Sequence, residues 1–346
     1  MRITKFFYTS ILIYIVWSFL VFIILKIVSK LNTEENLIAN YDDNNAKMYS
    51  SDAINKLKRH IQNKFNKLYD INCTLILNKD EYELNRATRL LSDNKNEYGI
   101  IDENKLIFDK SYCPLFRQIR GYDSHPIKDS EYEFPLAFSI LVYYNVEQLE
   151  RLLKLIYRPQ NVYCIHIDLK SSIEVHKAIE SIVQCFDNVF ISSKLEDVIY
   201  AGISRLKADI NCMRDLINFK NNFTHNNKIV PKWKYFINLA STEFPLRTNY
   251  ELTEILRLFN GANDIEILYE YPHERVKYSW KTKYEYNKLV LVKSNSLKSP
   301  PPYDFNLTKG FAYGAFSRNF VKYSLENVHA KALLKWAEDT QNPDEW

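Results

Sequence analysis

Residues 161–168 read NVYCIHID, an apolar run of strand length that ends in a carboxylate. A continuous apolar run of this kind predicts a strand buried on both faces, as in a parallel sheet. A second such run, PLAFSILVYY, occupies residues 135–144. Two further runs, at residues 188–193 and 233–239, predict a third and a fourth strand. Together the four runs predict the sheet of an α/β domain.

The segments between these strands have the spacing of amphipathic helices. Apolar residues recur every three or four positions over residues 147–157, 175–186 and 203–217. Strands that alternate with helices imply a mainly parallel sheet with helices on both faces. We therefore predict an α/β fold of this type for the body of the chain.

Polar side chains follow three of the predicted strands. They are Tyr143-Tyr144, Asp168 and Ser192-Ser193. Because ligands of open α/β sheets bind at the carboxyl ends of the strands, we expect these residues along one ligand-binding edge.

Composition excludes two function classes. The net charge of +4 is too small to indicate a nucleic-acid partner. With six glycines, the chain contains neither Gly-x-Gly-x-x-Gly nor Gly-x-x-x-x-Gly-Lys-Ser/Thr, so the usual phosphate-cradling loops are absent from the sequence.

The first fifty residues predict a membrane anchor and a spacer. Residues 6–25 carry no charge and are long enough to span a bilayer as a helix. We predict a tail at residues 1–5, an uncleaved signal-anchor at 6–28 and a polar stem at 29–50, followed by a helix over 51–69. Five cysteines and three glycosylation sequons, at Asn72, Asn222 and Asn306, favour a lumenal position for residues 51–346.

From about residue 110 the chain resembles the core-2/I-branching β-1,6-N-acetylglucosaminyltransferases, glycosyltransferase family 14. The stretch VYCIHIDLKS at residues 162–171 is similar to a signature of that family. Other similar stretches follow in the family's order: NVFIS (188–192), VIYA (198–201), ADINCMRDL (208–216), WKYFINL (233–239), FPLRTN (244–249) and PDE (343–345). The resemblance implies a GT-A-like fold and a type II Golgi membrane enzyme with a lumenal catalytic domain.

The resemblance also implies a reaction. The enzyme would transfer N-acetylglucosamine from UDP-N-acetylglucosamine to a sugar hydroxyl of a glycan or glycoprotein, with inversion and without a metal or other cofactor. The residues agree on the metal, because Asp168-Leu169-Lys170 has a lysine where a second acid would complete a cation site. Two alternatives stay open: a peptide O-xylosyltransferase of the same family, and a catalytically inactive, membrane-anchored glycan-binding protein.

Site residues carry over from the family position by position. Glu345 would be the catalytic base, which takes the acceptor's hydroxyl proton. Glu266 would bind the acceptor, helped by Lys277 or, in its place, Arg275. The donor would contact residues at the predicted strand ends: Leu141, Val142, Tyr143, Asp168, Leu169, Lys170 and Tyr200. We expect His166 to be a structural residue of its strand.

The family register also predicts the cysteine pairing. Cys113 would bond Cys185, Cys164 would bond Cys212, and Cys73 would stay free. In the family, the partner of the cysteine near position 73 and the basic residues that neutralise the UDP diphosphate follow the Pro-Asp-Glu motif at a distance. We therefore expect residues 51–346 to lack the C-terminal part of the glycosyltransferase domain.

Overall fold

The computed structural model describes residues 71–93, 102–124, 127–220, 224–225, 228–268, 273–286 and 288–345. The predicted tail, signal-anchor, stem and first helix lie outside these ranges, as does the sequon asparagine Asn222. Within the described ranges, no helix is long and apolar enough to cross a membrane.

The chain divides into two compact units, Met1–Ala87 and Thr88–Trp346. The described part of the first unit contains helix α1 (Cys73–Leu77) and the beginning of α2 (Glu81–Asp93). Asn72 caps α1, since its side-chain oxygen accepts a hydrogen bond from the N–H of Leu75. Glu83 binds both the N–H of Asn72 and the guanidinium of Arg86, and these bonds lower the pKa of its carboxyl to about 2.

The second unit is built on a six-stranded sheet in the order β3-β2-β1-β6-β10-β7. Four neighbouring strands are parallel, and their bounds are β1 Leu136–Val142, β2 Val162–Ile167, β3 Val189–Ile191 and β6 Tyr235–Ala240. These are the four strands that the apolar runs predict. Two further strands, β7 (Asp264–Leu268) and β10 (Lys309–Ser317), extend the sheet in antiparallel pairing. The mainly parallel α/β sheet is thus confirmed, with an antiparallel extension that the sequence did not reveal.

Helices cover both faces of the sheet. Strand β2 is buried throughout and alternates its side chains between two apolar clusters. Helices α5 (Val146–Ile156) and α6 (Ile173–Val183) contribute to one cluster, and α7 (Ile203–Asn218) contributes to the other. All three helices were predicted from apolar periodicity.

The remaining elements surround this core. Helices α3 (Cys113–Arg120) and α4 (Asp129–Glu133) precede β1, and short strands β4 (Thr224–His225) and β5 (Lys228–Ile229) follow α7. Helix α8 (Asn249–Leu258) follows β6, and helix α9 (His273–Lys277) leads into a hairpin of β8 (Tyr278–Glu285) and β9 (Lys288–Leu297). Helices α10 (Arg318–Glu326) and α11 (Val328–Trp336) complete the described chain. Single 3₁₀ turns occupy Glu103–Leu106, Lys110–Tyr112, Pro302–Asp304 and Ala337–Asp339.

Two disulfides link elements that pack around the core. Cys164 in β2 is bonded to Cys212 in α7, across one face of the sheet. Cys113 at the start of α3 is bonded to Cys185, just after α6. Cys73 is exposed and free. The structure therefore has the pairing that the family register predicts.

Candidate active site

Asp168 lies where β2 ends, and Lys170 binds its side chain. The Asp168 carboxylate accepts hydrogen bonds from the backbone N–H of Lys170, at 2.9 Å, and from its ammonium, at 3.2 Å. The same ammonium lies 2.7 Å from a carboxylate oxygen of Asp197 and donates to the carbonyl of Val198. Lys170 thus occupies the space between two carboxylates, and the surrounding acids raise the pKa of its amine against the opposing effect of burial.

The other predicted donor residues lie around this group. Val142 is buried at the end of β1, and its carbonyl accepts the N–H of Asp168. Tyr143 follows it with 52% of its surface exposed, and its carbonyl accepts the hydroxyl of Ser171. Leu141 is half-buried, whereas Leu169 is exposed. The structure therefore brings these predicted donor residues together at the carboxyl ends of β1 and β2.

Tyr200 lies in the segment that Lys170 holds, two residues beyond Val198. Its side chain is 91% exposed, so nothing in the described chain covers it. The next residue, Ala201, has a φ of 61°. An L-residue rarely adopts this left-handed conformation, and here it reverses the chain next to an exposed aromatic ring. Tyr200 is thus presented at the same edge as Asp168.

His166 has a structural role, as expected. Its Nε2 accepts a hydrogen bond of 2.8 Å from the backbone N–H of Glu196, so the ring is neutral at that nitrogen. Burial lowers the pKa of the imidazole, although Asp168 and Glu196 oppose this effect.

The segment Pro343-Asp344-Glu345 returns to this edge after α11. The N–H of Asn342 donates to the carbonyl of Ala201 at 2.7 Å, which places the segment beside Tyr200. The N–H of Gly310, in β10, donates to the carbonyl of Glu345 at 2.5 Å. A Cβ atom on Gly310 would lie 2.9 Å from the carbonyl oxygen of Glu266, so glycine is needed for this close approach. Glu345 and Glu266 therefore flank the same glycine.

Two donors hold the Glu345 carboxylate. Arg275 contacts one oxygen at 2.6 Å, and the side-chain amide of Asn342 contacts the other at 2.8 Å. Burial opposes ionisation, but these bonds outweigh it, so the pKa of Glu345 lies below its ordinary value. The side chain keeps 27% of its surface exposed. Glu345 is therefore an ionised, accessible carboxylate of fixed orientation.

The two predicted acceptor residues are placed differently. Glu266 lies on β7, exposed and without a hydrogen bond or ion pair inside the described chain. Lys277, in α9, has its ammonium 4.0 Å from Glu274. Arg275, which the sequence offered as the alternative to Lys277, is the basic residue that contacts Glu345. Sequence spacing alone could not decide between them, because the two residues lie on one short helix.

A buried polar network connects the sheet to the segment Pro343-Asp344-Glu345. The carboxylate of Asp209 in α7, fully buried, accepts bonds from Ser139 in β1 at 2.7 Å and from Asn238 in β6 at 3.0 Å. Arg205 lies 3.3 Å from Asp209 and 3.3 Å from Asp344. The sequence alone assigns no role to these residues. Position 209 is outside the apolar repeat of α7, so no local pattern marks this buried carboxylate.

Neighbouring carboxyls in this segment are shifted in opposite directions. Burial raises the pKa of Asp344, with Arg205 opposing it. Burial likewise raises the pKa of Asp209. Glu345, one residue further, has a lowered pKa. Such divergence marks different roles for adjacent groups: Asp344 belongs to the buried network, whereas Glu345 is held ionised towards solvent.

Two of the three sequons lie in the described chain. The side chains of Asn72 and Asn306 are both exposed. Their glycosylation stays a prediction, as does that of Asn222.

Comparison with known proteins identifies the class of protein that this fold and site belong to. Residues 136–346 match the family described as Core-2/I-Branching enzyme, and the chain belongs to this family.

Individual relatives bear names that describe one activity. The chain is 38% identical over 280 residues to a Danio rerio protein named beta-1,3-galactosyl-O-glycosyl-glycoprotein beta-1,6-N-acetylglucosaminyltransferase 4, covering 80% of this chain and 62% of that protein. A Homo sapiens protein named beta-1,3-galactosyl-O-glycosyl-glycoprotein beta-1,6-N-acetylglucosaminyltransferase is 38% identical over 278 residues, with the same coverage. The Homo sapiens protein numbered 3 under that name is 37% identical over 276 residues, covering 80% of this chain and 60% of that protein. The chain thus spans about three fifths of the length of these relatives.

Proposed function

We propose that the protein transfers N-acetylglucosamine from UDP-N-acetylglucosamine to a hydroxyl of an O-glycan, forming a β-1,6 branch with inversion. Family membership and the names of the relatives support this activity. The observation that carries the proposal is the Glu345 carboxylate, which has a lowered pKa and is accessible at the edge of the sheet where β10 begins.

In the proposed step, Glu345 acts as general base. The acceptor oxygen attacks the anomeric carbon while the bond from that carbon to the diphosphate oxygen breaks. The acceptor proton passes to Glu345, and UDP leaves with the bonding electron pair. A general base must be ionised and within hydrogen-bond reach of the proton it takes. Arg275 supports ionisation and fixes the direction of the carboxylate.

The donor would bind along Tyr143, Asp168, Leu169, Lys170 and Tyr200. Asp168 can accept hydrogen bonds from uridine hydroxyl or amide groups, and the exposed tyrosine rings offer stacking surfaces. Metal-free chemistry is supported by Lys170, because its ammonium already contacts the carboxylates of both Asp168 and Asp197.

The acceptor would bind beside Glu266. Carboxylate oxygens suit pairs of sugar hydroxyls, and Glu266 and Glu345 both border Gly310. Lys277 is the second proposed acceptor contact, and the position of Arg275 makes it a further candidate.

The proposal also includes the fold type of the protein and its location in the cell. We assign the sheet to the GT-A-like type, residues 51–346 to the lumen and the enzyme to the Golgi membrane, anchored as a type II protein by residues 6–28. The apolar run, the sequons and the disulfides support this topology.

The test uses the full-length gene product, including any residues beyond Trp346. We expect it to bind UDP in calorimetry and to transfer N-acetylglucosamine to an acceptor bearing a β-1,3-galactosyl O-glycan. Transfer of xylose to a serine-containing peptide would favour the xylosyltransferase alternative. Absence of both UDP binding and transfer would favour the inactive glycan-binding alternative.

A further inference from the structure

A basic pocket lies at the opposite edge of the sheet from Glu345. It has a volume of ≈ 510 Å³ and lies where β1 and β6 begin and β10 ends. Backbone bonds close this edge, since Lys234 N–H donates to the carbonyl of Pro135 and Arg318 N–H donates to that of Lys234. The six residues of β6 separate the pocket from the catalytic edge by about 20 Å. The pocket is therefore distinct from the proposed active site.

All the charged residues that line this pocket are basic. Its lining includes Lys232, Lys234, Arg257 and Arg318, and no acidic residue of the described chain lines it. Among these four, only Arg257 has a nearby acid, with its Nε 3.6 Å from Glu254. Within the described residues, the other three have no ion-pair partner. Four cations around one concave surface raise the local concentration of anions.

Arg318 contributes the most constrained of these charges. It is half-buried, its guanidinium lies 4.5 Å above the ring of Trp233, and it donates to the carbonyl of Ile217 at 3.2 Å. Burial lowers the pKa of the guanidinium, and no carboxylate opposes that effect. Arg318 is also the first residue of α10, a helix with no acid in its first turn. Both the arginine and the positive end of the helix thus lack a compensating anion in the described chain.

Neutral groups fill the rest of the lining. Phe134 supplies half-buried apolar surface, the ring of Trp233 is buried beneath Arg318, and Asn260 and Asn319 supply side-chain amides. Neither amide makes a side-chain hydrogen bond within the described residues. Apolar ring surface beside free amides and cations matches a sugar ring with hydroxyls and an acidic substituent, whereas an acidic peptide would use the charges alone.

We infer that this pocket is a second saccharide-binding site, specific for a sugar that carries a carboxylate or a sulfate. The acidic group would lie against Arg318 and the lysines, and the sugar ring would lie against Phe134 and the asparagine amides. Such a site would hold an acidic branch of a glycan, or of a glycoprotein, away from the catalytic edge. It requires no transfer activity, so its test is independent of the proposed function.

Saturation-transfer NMR and calorimetry test the inference with three small sugars. They are 3′-sialyllactose, which carries a carboxylate, lactose 3′-sulfate, which carries a sulfate, and uncharged lactose. At low salt we expect either acidic sugar to bind about tenfold more tightly than lactose, because charge-assisted hydrogen bonds are stronger than neutral ones. Raising the salt concentration to 0.5 M should remove most of this tenfold difference in affinity, because salt screens the charges. Saturating UDP should not displace the acidic sugars. The relative affinities of the two acidic probes identify which group the site prefers.

Variants locate the binding. Arg318→Gln and the double change Lys232→Ala with Lys234→Ala should each weaken binding of the acidic sugars about fivefold or more, the loss expected for a charge-assisted contact. Lys322→Ala is the matched control, since Lys322 is exposed on the same helix and pairs with Glu326. Thermal unfolding checks that each variant folds. Lys232 and Lys234 are exposed, so the lysine double variant still tests the inference if Arg318→Gln does not fold.

Three results would overturn the inference. One is equal binding of lactose and the acidic sugars. Another is unchanged binding in the lysine double variant. The third is binding of inorganic sulfate or a glutamate hexapeptide as tight as that of the acidic sugars, since the sugar ring would then contribute nothing.

Discussion

At the scale of single residues, the site depends on which charges are paired. Glu345 faces an arginine and an amide, whereas Asp168 faces a lysine that it shares with Asp197. Asp168 is buried, whereas Glu345 keeps 27% of its side-chain surface exposed. Burial suits the proposed role of Asp168 as a donor contact, and accessibility suits the proposed role of Glu345 as the base.

Glu345→Gln tests the base. Glutamine keeps the shape and one acceptor oxygen but cannot take a proton. In the full-length gene product we expect turnover to fall by about 10²–10⁴-fold, the usual effect of a positioned acid or base. UDP affinity, measured by calorimetry, should stay within twofold, about the precision of the comparison. Unchanged turnover would assign the base to another residue.

Arg275→Gln tests how the pKa of Glu345 is set. Arg275 lowers that pKa, so its loss should raise the pKa towards the ordinary glutamate value. The base is active only when deprotonated, and activity is lost as the pH falls through its pKa. We therefore expect the acid limb of the kcat/KM profile to move to higher pH. Lys277→Gln, on the same helix, should leave that limb in place; a shift in both variants would indicate a general change in the site.

Lys170→Ala tests the resident cation. Without the ammonium, Asp168 and Asp197 lose the cation that they share, and carboxylate oxygens are good ligands for divalent cations. We expect the variant to gain stability with millimolar Mn²⁺ or Ca²⁺, about 2–4 °C in Tm for roughly 1 kcal/mol. The wild type should show no such gain, and its activity should be insensitive to EDTA. Lys194→Ala, which removes the ion pair of a single carboxylate, that of Glu196, is the control. Loss of wild-type activity in EDTA, restored by Mn²⁺, would contradict the metal-free reaction.

At the scale of elements, α7 joins the centre of the sheet to the segment Pro343-Asp344-Glu345. Its Asp209 binds Ser139 in β1 and Asn238 in β6, and its Arg205 reaches both Asp209 and Asp344. Because the guanidinium is shared between two buried acids, the position of Pro343-Asp344-Glu345 depends on residues of the sheet.

Asp209→Ala should therefore destabilise the fold strongly. Removing one partner of a buried ion pair typically costs about 3–5 kcal/mol, and here Ser139 and Asn238 also lose their acceptor. Adding Arg205→Met should cost less than the two single changes added together, because each single change already removes the Asp209–Arg205 ion pair. Urea unfolding of the two single variants and the double variant measures this. Additivity within about 0.5 kcal/mol would show that the two residues do not interact.

The elements also show what local sequence can predict. Strands β1, β2, β3 and β6 and helices α5, α6 and α7 have the patterns of fully buried strands and one-sided helices, which are local properties. By contrast, β7 is exposed along its length and β10 is mixed, so neither has a buried or alternating pattern. Their places in the sheet depend on pairing between distant segments. The contact of Arg275 with Glu345 joins positions 70 residues apart and is hidden from sequence for the same reason.

At the scale of the whole molecule, the disulfides connect distant parts of the chain. Cys113–Cys185 spans 72 residues and Cys164–Cys212 spans 48. Both lie within the second unit, around the apolar clusters that hold the parallel sheet.

Replacing either cysteine pair with alanine should lower stability by about 2–5 kcal/mol, the usual effect of removing a native disulfide. Cys73→Ser should change stability little, because Cys73 is exposed and unbonded. Thermal unfolding of the three variants measures the effect. Non-reducing peptide mapping checks the pairing itself, and a peptide linking Cys73 to another cysteine of this chain would contradict it.

The place of β10 has a consequence for how the protein is made. This strand, at Lys309–Ser317, pairs with β6, which is complete 69 residues earlier at Ala240. During synthesis, β6 therefore emerges from the ribosome before β10. Until β10 follows, the backbone N–H and C=O groups along one side of β6 have no strand partner. Such an open edge invites pairing with neighbouring nascent chains. Production of this protein should accordingly depend on chaperones that shield β6 until translation has passed residue 317.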